Sequence, residues 1–229
     1  DSETGPTCSW PLRVNVYKQK DITITVYHVE DSTSDKTTLS RTVDLVKTEQ
    51  ELNRWYRSAV AKIRVDDGGK KDVTFDLNDN GALELAPVGT SDEEAAINGV
   101  VTAAGKKAVI VKKLTWFFKL AEEAKKDATK IKLDAGLSGS MKYLKDGSSF
   151  ALGSENVTVQ SKSGTEITLA APLANDHPTS EGLIFVLNGL SGNPVWVKED
   201  GLSEQKQREV IGHETGHEHH LGHVVRVAR

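Results

Sequence analysis

Residues 201–223 read GLSEQKQREVIGHETGHEHHLGH, and this stretch decides the end of the fold and the chemistry that the sequence predicts. Ser203 is a suitable N-cap, and Glu204 follows it in the first turn, where negative charge is favoured. Gly222 is typical of the residue that ends a helix. The pattern therefore predicts a helix that ends near Gly222 and presents a run of histidines.

The first two histidines of this run, His213 and His217, are four residues apart, so they project from one face of a helix on successive turns. Two imidazoles placed in this way can bind one divalent metal. Glu214 lies one step round the helix, where it can hold a water on that metal and take its proton. This division of roles is the physical content of an H-E-x-x-H motif.

A catalytic zinc needs a third protein ligand and an open fourth position. Only six residues follow the last histidine and none is acidic, so we expect a downstream glutamate ligand only if the chain continues beyond them. The candidates are the other histidines of the run and one upstream histidine: His219, His220, His223 and His177.

Helix geometry separates these candidates. His219 lies about 200° round the helix from His217 and points away from it. His220 lies about 10 Å along the axis from His213, too far for one zinc to reach both of them along with His217. His223 can return to the metal if the chain bends, and the glycine that precedes it makes a bend easy.

HETGHEHHLGH resembles the H-E-x-x-H-x-x-G-x-x-H zinc signature of the metzincin metallopeptidases. The resemblance implies that His213, His217 and His223 bind Zn²⁺ and that Glu214 is the general base. It also implies an upper subdomain whose sheet has an edge strand that pairs with an extended peptide substrate. Two features depart from the signature. His220 stands where a turning glycine is usual, and the only methionine, Met141, lies upstream, so no Met-turn follows the histidines.

The lack of a Met-turn predicts that the chain has been shortened and that a C-terminal subdomain is missing. A separate chain that completes the site, and a relative that has no Met-turn, stay open as alternatives. The rest of the sequence predicts an α+β fold, with a mixed twisted sheet, an early amphipathic helix and the C-terminal helix of the active site. We expect a single metallopeptidase domain over residues 1–229, with a β-rich part over 1–47 packed on it. The stretch LRVNVY, residues 12–17, and DITITVYHV, residues 21–29, predict the first strands.

TEQELNRWYRSAVAKI, residues 48–63, predicts the early helix, with Thr48 and Glu51 forming a capping box. Ser91 is the expected cap of a second, shorter helix. TWFFKLAEEAKKDA, residues 115–128, predicts either a strand that runs into a helix or a helix throughout. GLIFVLNG, residues 182–189, predicts the edge strand ahead of the histidine helix.

DLNDNGALEL, residues 76–85, resembles the start of a calcium loop, with Asp76, Asn78 and Asn80 at alternate positions and a glycine after them. The twelfth position of such a loop should be a glutamate, but Pro87 stands there. A polar turn between strands is the favoured interpretation, and Ca²⁺ binding is kept as a second hypothesis.

Composition limits the class of protein. The chain has 229 residues, of which 37% are hydrophobic and 27% charged, with a net charge of −4. We therefore expect no nucleic-acid partner and no membrane span. The chain has a single cysteine, Cys8, so it cannot form an internal disulfide. The stretch around it, GPTCSWP, resembles the zymogen segment of metzincins only loosely, so it does not predict such a segment.

Together these features predict a zinc endopeptidase that acts on a protein or peptide and is secreted, or delivered by a bacterium as an effector. Three alternatives stay open: a histidine-rich metal-binding protein without catalysis, a toxin domain of a larger effector with the same chemistry, and an inactive protease kept as a binding module.

Overall fold

The computed structural model describes residues 18–87 and 89–219. The fold is α+β, as predicted. The helices and strands follow one another in this order: β1 (Lys20–Glu30), α1 (Leu45–Trp55), β2 (Ala61–Asp72), β3 (Leu83–Leu85), α2 (Asp92–Asn98), β4 (Lys106–Val111), β5 (Leu114–Lys119), β6 (Lys130–Lys132), β7 (Ser149–Leu152), β8 (Glu155–Ser163), β9 (Glu166–Leu169), β10 (Gly182–Val186), β11 (Gly189–Leu190), β12 (Val195–Lys198) and α3 (Glu204–His219).

The strands form two sheets. The first, which we call the parallel sheet, has the order β11-β12-β4-β1-β2, and only β11 runs antiparallel to its neighbour. The second, which we call the inserted sheet, has the order β3-β5-β10-β7-β8-β9-β6. All its strands except β3 lie between β4 and β11 in the chain, so the inserted sheet interrupts the parallel sheet in sequence.

The parallel sheet is covered on both faces. On one face, Ile24 and Val26 of β1 share a buried core with Leu52 of α1 and Ile211 of α3. On the other face, Tyr27 of β1 shares a second core with the inserted sheet. Because the sheet is covered on both sides, residues 24–29 of β1 are all buried, and Thr25 and His28 are the polar residues among them.

Helix α1 begins earlier than predicted, and the predicted capping box is wrong. The N-cap is Asp44, whose carboxylate accepts from the Lys47 N–H at 3.0 Å. Thr48 is fully buried inside the first turn and donates its hydroxyl to the Asp44 carbonyl at 2.8 Å. The helix also ends at Trp55 rather than at residue 63, because β2 begins at Ala61.

The caps of the other two helices were predicted correctly. Ser91 accepts from the Glu94 N–H at 3.0 Å at the start of α2. Ser203 accepts from the Lys206 N–H at 3.2 Å at the start of α3. Each side-chain oxygen satisfies a backbone donor that the first turn leaves without a partner within the helix.

Two strand predictions differ from the structure, the first in its position in the sheets and the second in its extent. Residues 182–186 form β10, which lies inside the inserted sheet between β5 and β7, not at the edge beside the histidine helix. That edge is β11. Residues 114–119 form β5, as the strand alternative for this stretch expected, but no helix follows them. The predicted strand over 12–17 lies outside the described residues.

No helix in the described ranges is long and apolar enough to cross a membrane.

The segment that leads into α1, residues 39–44, is held by side chains from three elements. We call it the lead-in loop. Five of its backbone N–H groups donate to side-chain acceptors: Leu39 to Glu30 (3.1 Å), Ser40 and Arg41 to Glu199 (2.8 and 3.0 Å), Val43 to the Nε2 of His28 (3.1 Å), and Asp44 to Glu204 (3.2 Å). The loop therefore joins β1, the end of β12 and the start of α3.

Glu199 is the central acceptor of this loop. Its side chain is 1% exposed, and it also accepts from the Ser40 hydroxyl at 2.6 Å and from Lys112 Nζ at 2.9 Å. Burial acts to raise the pKa of Glu199, but the hydrogen bonds from Ser40 and Lys112 outweigh it and hold the pKa below its ordinary value.

We expect Glu199→Gln to lower the free energy of unfolding at pH 7 by about 2–4 kcal/mol, because several buried donors lose a charged acceptor. The folded-state pKa of Glu199 is lowered, so its contribution is present above the unfolded value near 4.5 and is lost as the pH falls through the folded value. Urea denaturation at pH 7 and at low pH should show the difference from wild type shrinking on acidification.

The control is Glu166→Gln, which removes an exposed ion pair with Lys130 and should change stability little. An equal destabilisation by Glu199→Gln at both pH values would contradict the assignment.

Candidate metal centre

Helix α3 has one buried face and one exposed face. Its buried residues recur at helical spacing and pack against the parallel sheet and α1: Gln207, Arg208, Val210, Ile211, Gly212, Thr215 and Gly216. His213 and His217 are both exposed. The packing of the helix therefore leaves the two histidines on its accessible side.

The structure brings the two histidine rings together. Their Nε2 atoms lie 3.1 Å apart, and their ring centroids lie 4.6 Å apart at an interplanar angle of 87°. Zinc binds imidazole nitrogen at about 2.0–2.1 Å, so two nitrogens on one tetrahedral zinc lie about 3.3 Å apart. The observed separation is close to that value. One N–H···N hydrogen bond between neutral rings also accounts for it.

Glu214 lies between the two faces of α3 and is half-buried. Burial raises the pKa of its carboxyl group above the ordinary value, while the charge of His217 and a hydrogen bond from the Ser191 backbone act in the opposite direction. A carboxylate whose pKa is raised accepts a proton more readily at neutral pH, which suits a general base.

The edge strand β11 lies close to the side chain of Glu214. A side chain at Gly189 would overlap Val210 and come within 3.3 Å of the Cγ of Glu214. The glycine therefore lets the strand approach the helix closely. Leu190, the next residue, packs instead against the core of the inserted sheet. The strand is thus held between α3 and the inserted sheet.

The end of α1 packs against α3 just behind the histidines. The Tyr56 hydroxyl donates to the Gly212 carbonyl, and a side chain at Gly216 would overlap that hydroxyl. Gly212 similarly leaves room for the Trp55 ring. Burial raises the pKa of Tyr56, and the charge of Glu214 adds to the effect. The two glycines precede His213 and His217, so their packing sets where those histidines lie.

Sequence reasoning missed Tyr56 and Ser191 as neighbours of this site. Gly212 and Gly216, four residues apart on one helix face, were a usable signal, because small residues at that spacing indicate a closely packed partner. The partner itself lies more than 150 residues upstream. No pattern in the sequence indicates Ser191.

The other candidate ligands lie in different environments or outside the described residues. His219 is the last residue of α3 and is half-buried. His220 and His223 lie outside the described residues, so His223 stays a prediction. His177 has both ring nitrogens engaged, Nδ1 by Glu181 at 2.6 Å and Nε2 by Glu155. In this arrangement no nitrogen of His177 is left for a metal.

The predicted calcium loop forms a polar turn. Asp76 is buried, and its carboxylate accepts from the backbone N–H groups of Asn80 and Gly81 at 2.9 and 2.8 Å. The side-chain oxygens of Asn78 and Asn80 also accept from backbone N–H groups of the turn. This agrees with the favoured interpretation, and Ca²⁺ binding stays an untested prediction.

No group of three or more His, Cys, Asp or Glu side chains is arranged to hold a metal within residues 18–87 and 89–219. The described part of the predicted site is therefore a pair of histidines and a carboxylate.

Comparison with known proteins gives no family. No family model matches the chain, and no curated protein matches it. Among solved structures, the Gp54 tailspike of Acinetobacter baumannii bacteriophage AP22, in complex with A. baumannii capsular saccharide, matches with a TM-score of 0.25 and 12% identity. The match covers 59% of this chain and 23% of the tailspike. Similarity at this level indicates neither a shared fold nor a shared function.

We expect Gly216→Ala to lower the free energy of unfolding by about 1–3 kcal/mol, because the added methyl overlaps the buried Tyr56 hydroxyl. In an unobstructed helix the same change is stabilising by up to about 1 kcal/mol. Chemical denaturation of Gly216→Ala should show a smaller loss in a Tyr56→Phe background, where the hydroxyl is gone.

Gly139→Ala is the control, since nothing lies within 4 Å of the position its methyl would take. Equal losses in the wild-type and Tyr56→Phe backgrounds would show that the overlap is not the cause.

Proposed function

We propose that this chain is a zinc-dependent endopeptidase with metzincin-like chemistry. The observation that carries the proposal is the placement of the His213 and His217 Nε2 atoms 3.1 Å apart on the exposed side of α3, with Glu214 beside them. Two neutral imidazoles are a donor set that suits zinc, and the spacing fits two ligands of one ion. In this proposal His223 supplies the third ligand.

The half-burial of Glu214 supports catalysis over simple metal storage in this proposal. A metal store needs no proton acceptor beside its first ligand. Glu214 projects from the helix towards the edge strand, and burial raises its pKa, which makes the carboxylate a better proton acceptor. When bound, zinc lowers the pKa of a water molecule and polarises a carbonyl group.

The proton transfers in the proposed reaction belong to Glu214. Its carboxylate takes a proton from the attacking water, and the water oxygen forms the new bond to the peptide carbonyl carbon. Glu214 then returns the proton to the departing amine as the carbon–nitrogen bond breaks.

The substrate in this proposal is an extended peptide that pairs with an edge strand. We assign this role to β11 instead of residues 182–186, because β11 ends the parallel sheet and lies against Glu214. An exposed edge offers backbone hydrogen bonds to any extended chain, so pairing there binds peptides without reading their sequence. A secreted or delivered location is part of the same proposal.

We expect the full chain to bind one zinc ion, and expect His213→Ala and His217→Ala each to weaken zinc affinity by more than about 100-fold. Loss of a residue that only supports a ligand costs about 10–100-fold, and loss of a ligand should exceed it. Competition with a chromophoric chelator measures the affinity, and His219→Ala is the control. Binding of several metals per chain, with no hydrolysis of any peptide, would favour the non-catalytic metal-binding alternative.

We expect Glu214→Gln to retain zinc and to cleave peptides about 10²–10⁴-fold more slowly than wild type, because it cannot accept a proton. A peptide library read by mass spectrometry, with zinc content measured on the same samples, tests this. Glu209→Gln on the same helix serves as the matched control. Cleavage by Glu214→Gln at the wild-type rate would remove the assigned base.

A further inference from the structure

His177 is a buried histidine whose ring lies between two carboxylates. Its side chain is 2% exposed, and those of Glu155 and Glu181 are 15% and 35% exposed. The Nδ1 atom of His177 lies 2.6 Å from an Oε of Glu181, and Nε2 contacts an Oε of Glu155. An ionised carboxylate only accepts hydrogen bonds, so each ring nitrogen needs its own proton for both contacts to form. A neutral imidazole has one N–H, and the geometry therefore requires the charged ring.

The ring lies in a segment of irregular chain, residues 173–181, which we call the strap. The strap pairs with residues 124–128, where Ala124 and His177 exchange two backbone hydrogen bonds of 2.9 and 2.8 Å. Leu173 of the strap and Ala124 opposite it are both buried in the core that contains the inserted sheet. Opening of the strap would therefore expose part of that core to water.

The two carboxylates are anchored to different degrees. Glu155 also accepts from the backbone N–H groups of Ala174 and Asn175, at 2.9 and 3.2 Å. Glu181 is more exposed, and within the described ranges His177 is the only hydrogen-bond donor to its carboxylate. If the ring keeps a single N–H, the contact with Glu155 is the better supported of the two. Glu181 is then the carboxylate that is released.

Other charged groups lie around the strap, but they are exposed. Glu123 and Lys125, on the stretch that faces the strap, pair with each other, and Lys125 Nζ lies 3.9 Å from a carboxylate oxygen of Asp176. Their side chains are 49%, 62% and 59% exposed, so water screens their charges. The charge on the buried ring is therefore stabilised mainly by the two carboxylates that contact it.

These contacts make the stability of the strap depend on pH. Burial acts to lower the pKa of His177, but the hydrogen bonds with Glu181 and Glu155 outweigh it and hold the pKa above its ordinary value. The contribution of the charged ring is therefore fully present below the ordinary value near 6.5. It is lost as the pH rises through the folded-state value.

We propose that Glu155, His177 and Glu181 form a pH-sensitive latch: the charged ring holds the strap closed, and its deprotonation in alkaline solution frees Glu181 and opens the strap. The proton goes to the solvent, and the ring keeps the N–H that donates to Glu155. The open strap exposes the apolar side chain of Leu173. The latch lies apart from the histidine helix and does not depend on zinc.

The first test is the titration of the ring in the full chain. Long-range ¹H–¹⁵N NMR correlations report which nitrogens of each imidazole carry a proton, and His177→Gln assigns the signals of His177. We expect both nitrogens to be protonated at pH 6 and the titration midpoint to lie above the ordinary value near 6.5. A midpoint at or below that value would overturn the proposal.

The second test is amide hydrogen exchange at pH 6 and pH 9. Protection factors are compared, because they remove the effect of pH on the exchange chemistry itself. The amides of Ala124 and His177 report opening of the strap, and the amide of Val109 in β4 reports unfolding of the whole domain. We expect protection at the strap to fall at least about tenfold at pH 9, since a charge-assisted hydrogen bond is lost. An equal fall at all three amides would show that no local latch exists.

Glu181→Gln tests the carboxylate that the latch releases. A neutral amide stabilises the charged ring less, so we expect a lower pKa for His177 and strap protection at pH 6 about tenfold below that of wild type. The matched control is Glu166→Gln, which removes a more exposed glutamate of the inserted sheet that pairs with Lys130. It should leave the titration and the protection unchanged. If either of them is unaltered in Glu181→Gln, the latch is overturned, and a change in both that the control lacks supports it.

Discussion

The buried carboxylate of Glu199 is the constraint on which the arrangement of the helices depends. It closes the lead-in loop onto the end of β12, where it accepts hydrogen bonds from two backbone amides, a hydroxyl and an ammonium group. Because the loop runs straight into α1, Glu199 helps to set where α1 begins, together with the other acceptors of the loop and the N-cap Asp44. The far end of α1 then delivers Tyr56 to the back of α3. The position of the histidine helix thus follows from a contact at the other end of α1.

One side of helix α3 packs against the rest of the fold, and the other side carries the histidines of the proposed site. On its buried side, Gly212 and Gly216 admit the aromatic side chains of Trp55 and Tyr56, and Gly189 of β11 lets that strand approach the helix closely. Its exposed side carries the imidazoles of His213 and His217. Glu214 stands at the border, and its pKa is raised because it is partly withdrawn from water while a backbone amide and a histidine moderate the shift. A carboxylate further round the helix would lack one of these influences.

The features of the fold that the sequence predicted correctly are the local ones. Ser91 and Ser203 were recognisable as caps because the first turn of a helix depends on neighbouring residues. The facing of His213 and His217 follows from helix geometry in the same way. The start of α1 was mispredicted because Asp44 caps it from within a loop whose shape is set by residues on β1, β12 and α3.

The edge strand was mispredicted for a related reason. Residues 182–186 are apolar and β-branched enough to predict a strand, and they do form one, but nothing local says which sheet receives it. The actual edge strand has two residues and no pattern of its own. Its identity depends on pairing with β12 and on the glycine that faces α3. The contacts of Tyr56 and Ser191 with the site were likewise invisible because they join distant parts of the chain.

The packing of β11 between α3 and the inserted sheet limits which substitutions this protein tolerates. Leu190 packs against the core that contains the inserted sheet, and the residue before it, Gly189, lies close to the side chain of Glu214. A substitution in the inserted sheet that shifts Leu190 therefore also shifts the strand beside Glu214. A change in the inserted sheet is thereby transmitted to Glu214. Substitutions in the inserted sheet are therefore tolerated only if they preserve the packing of Leu190.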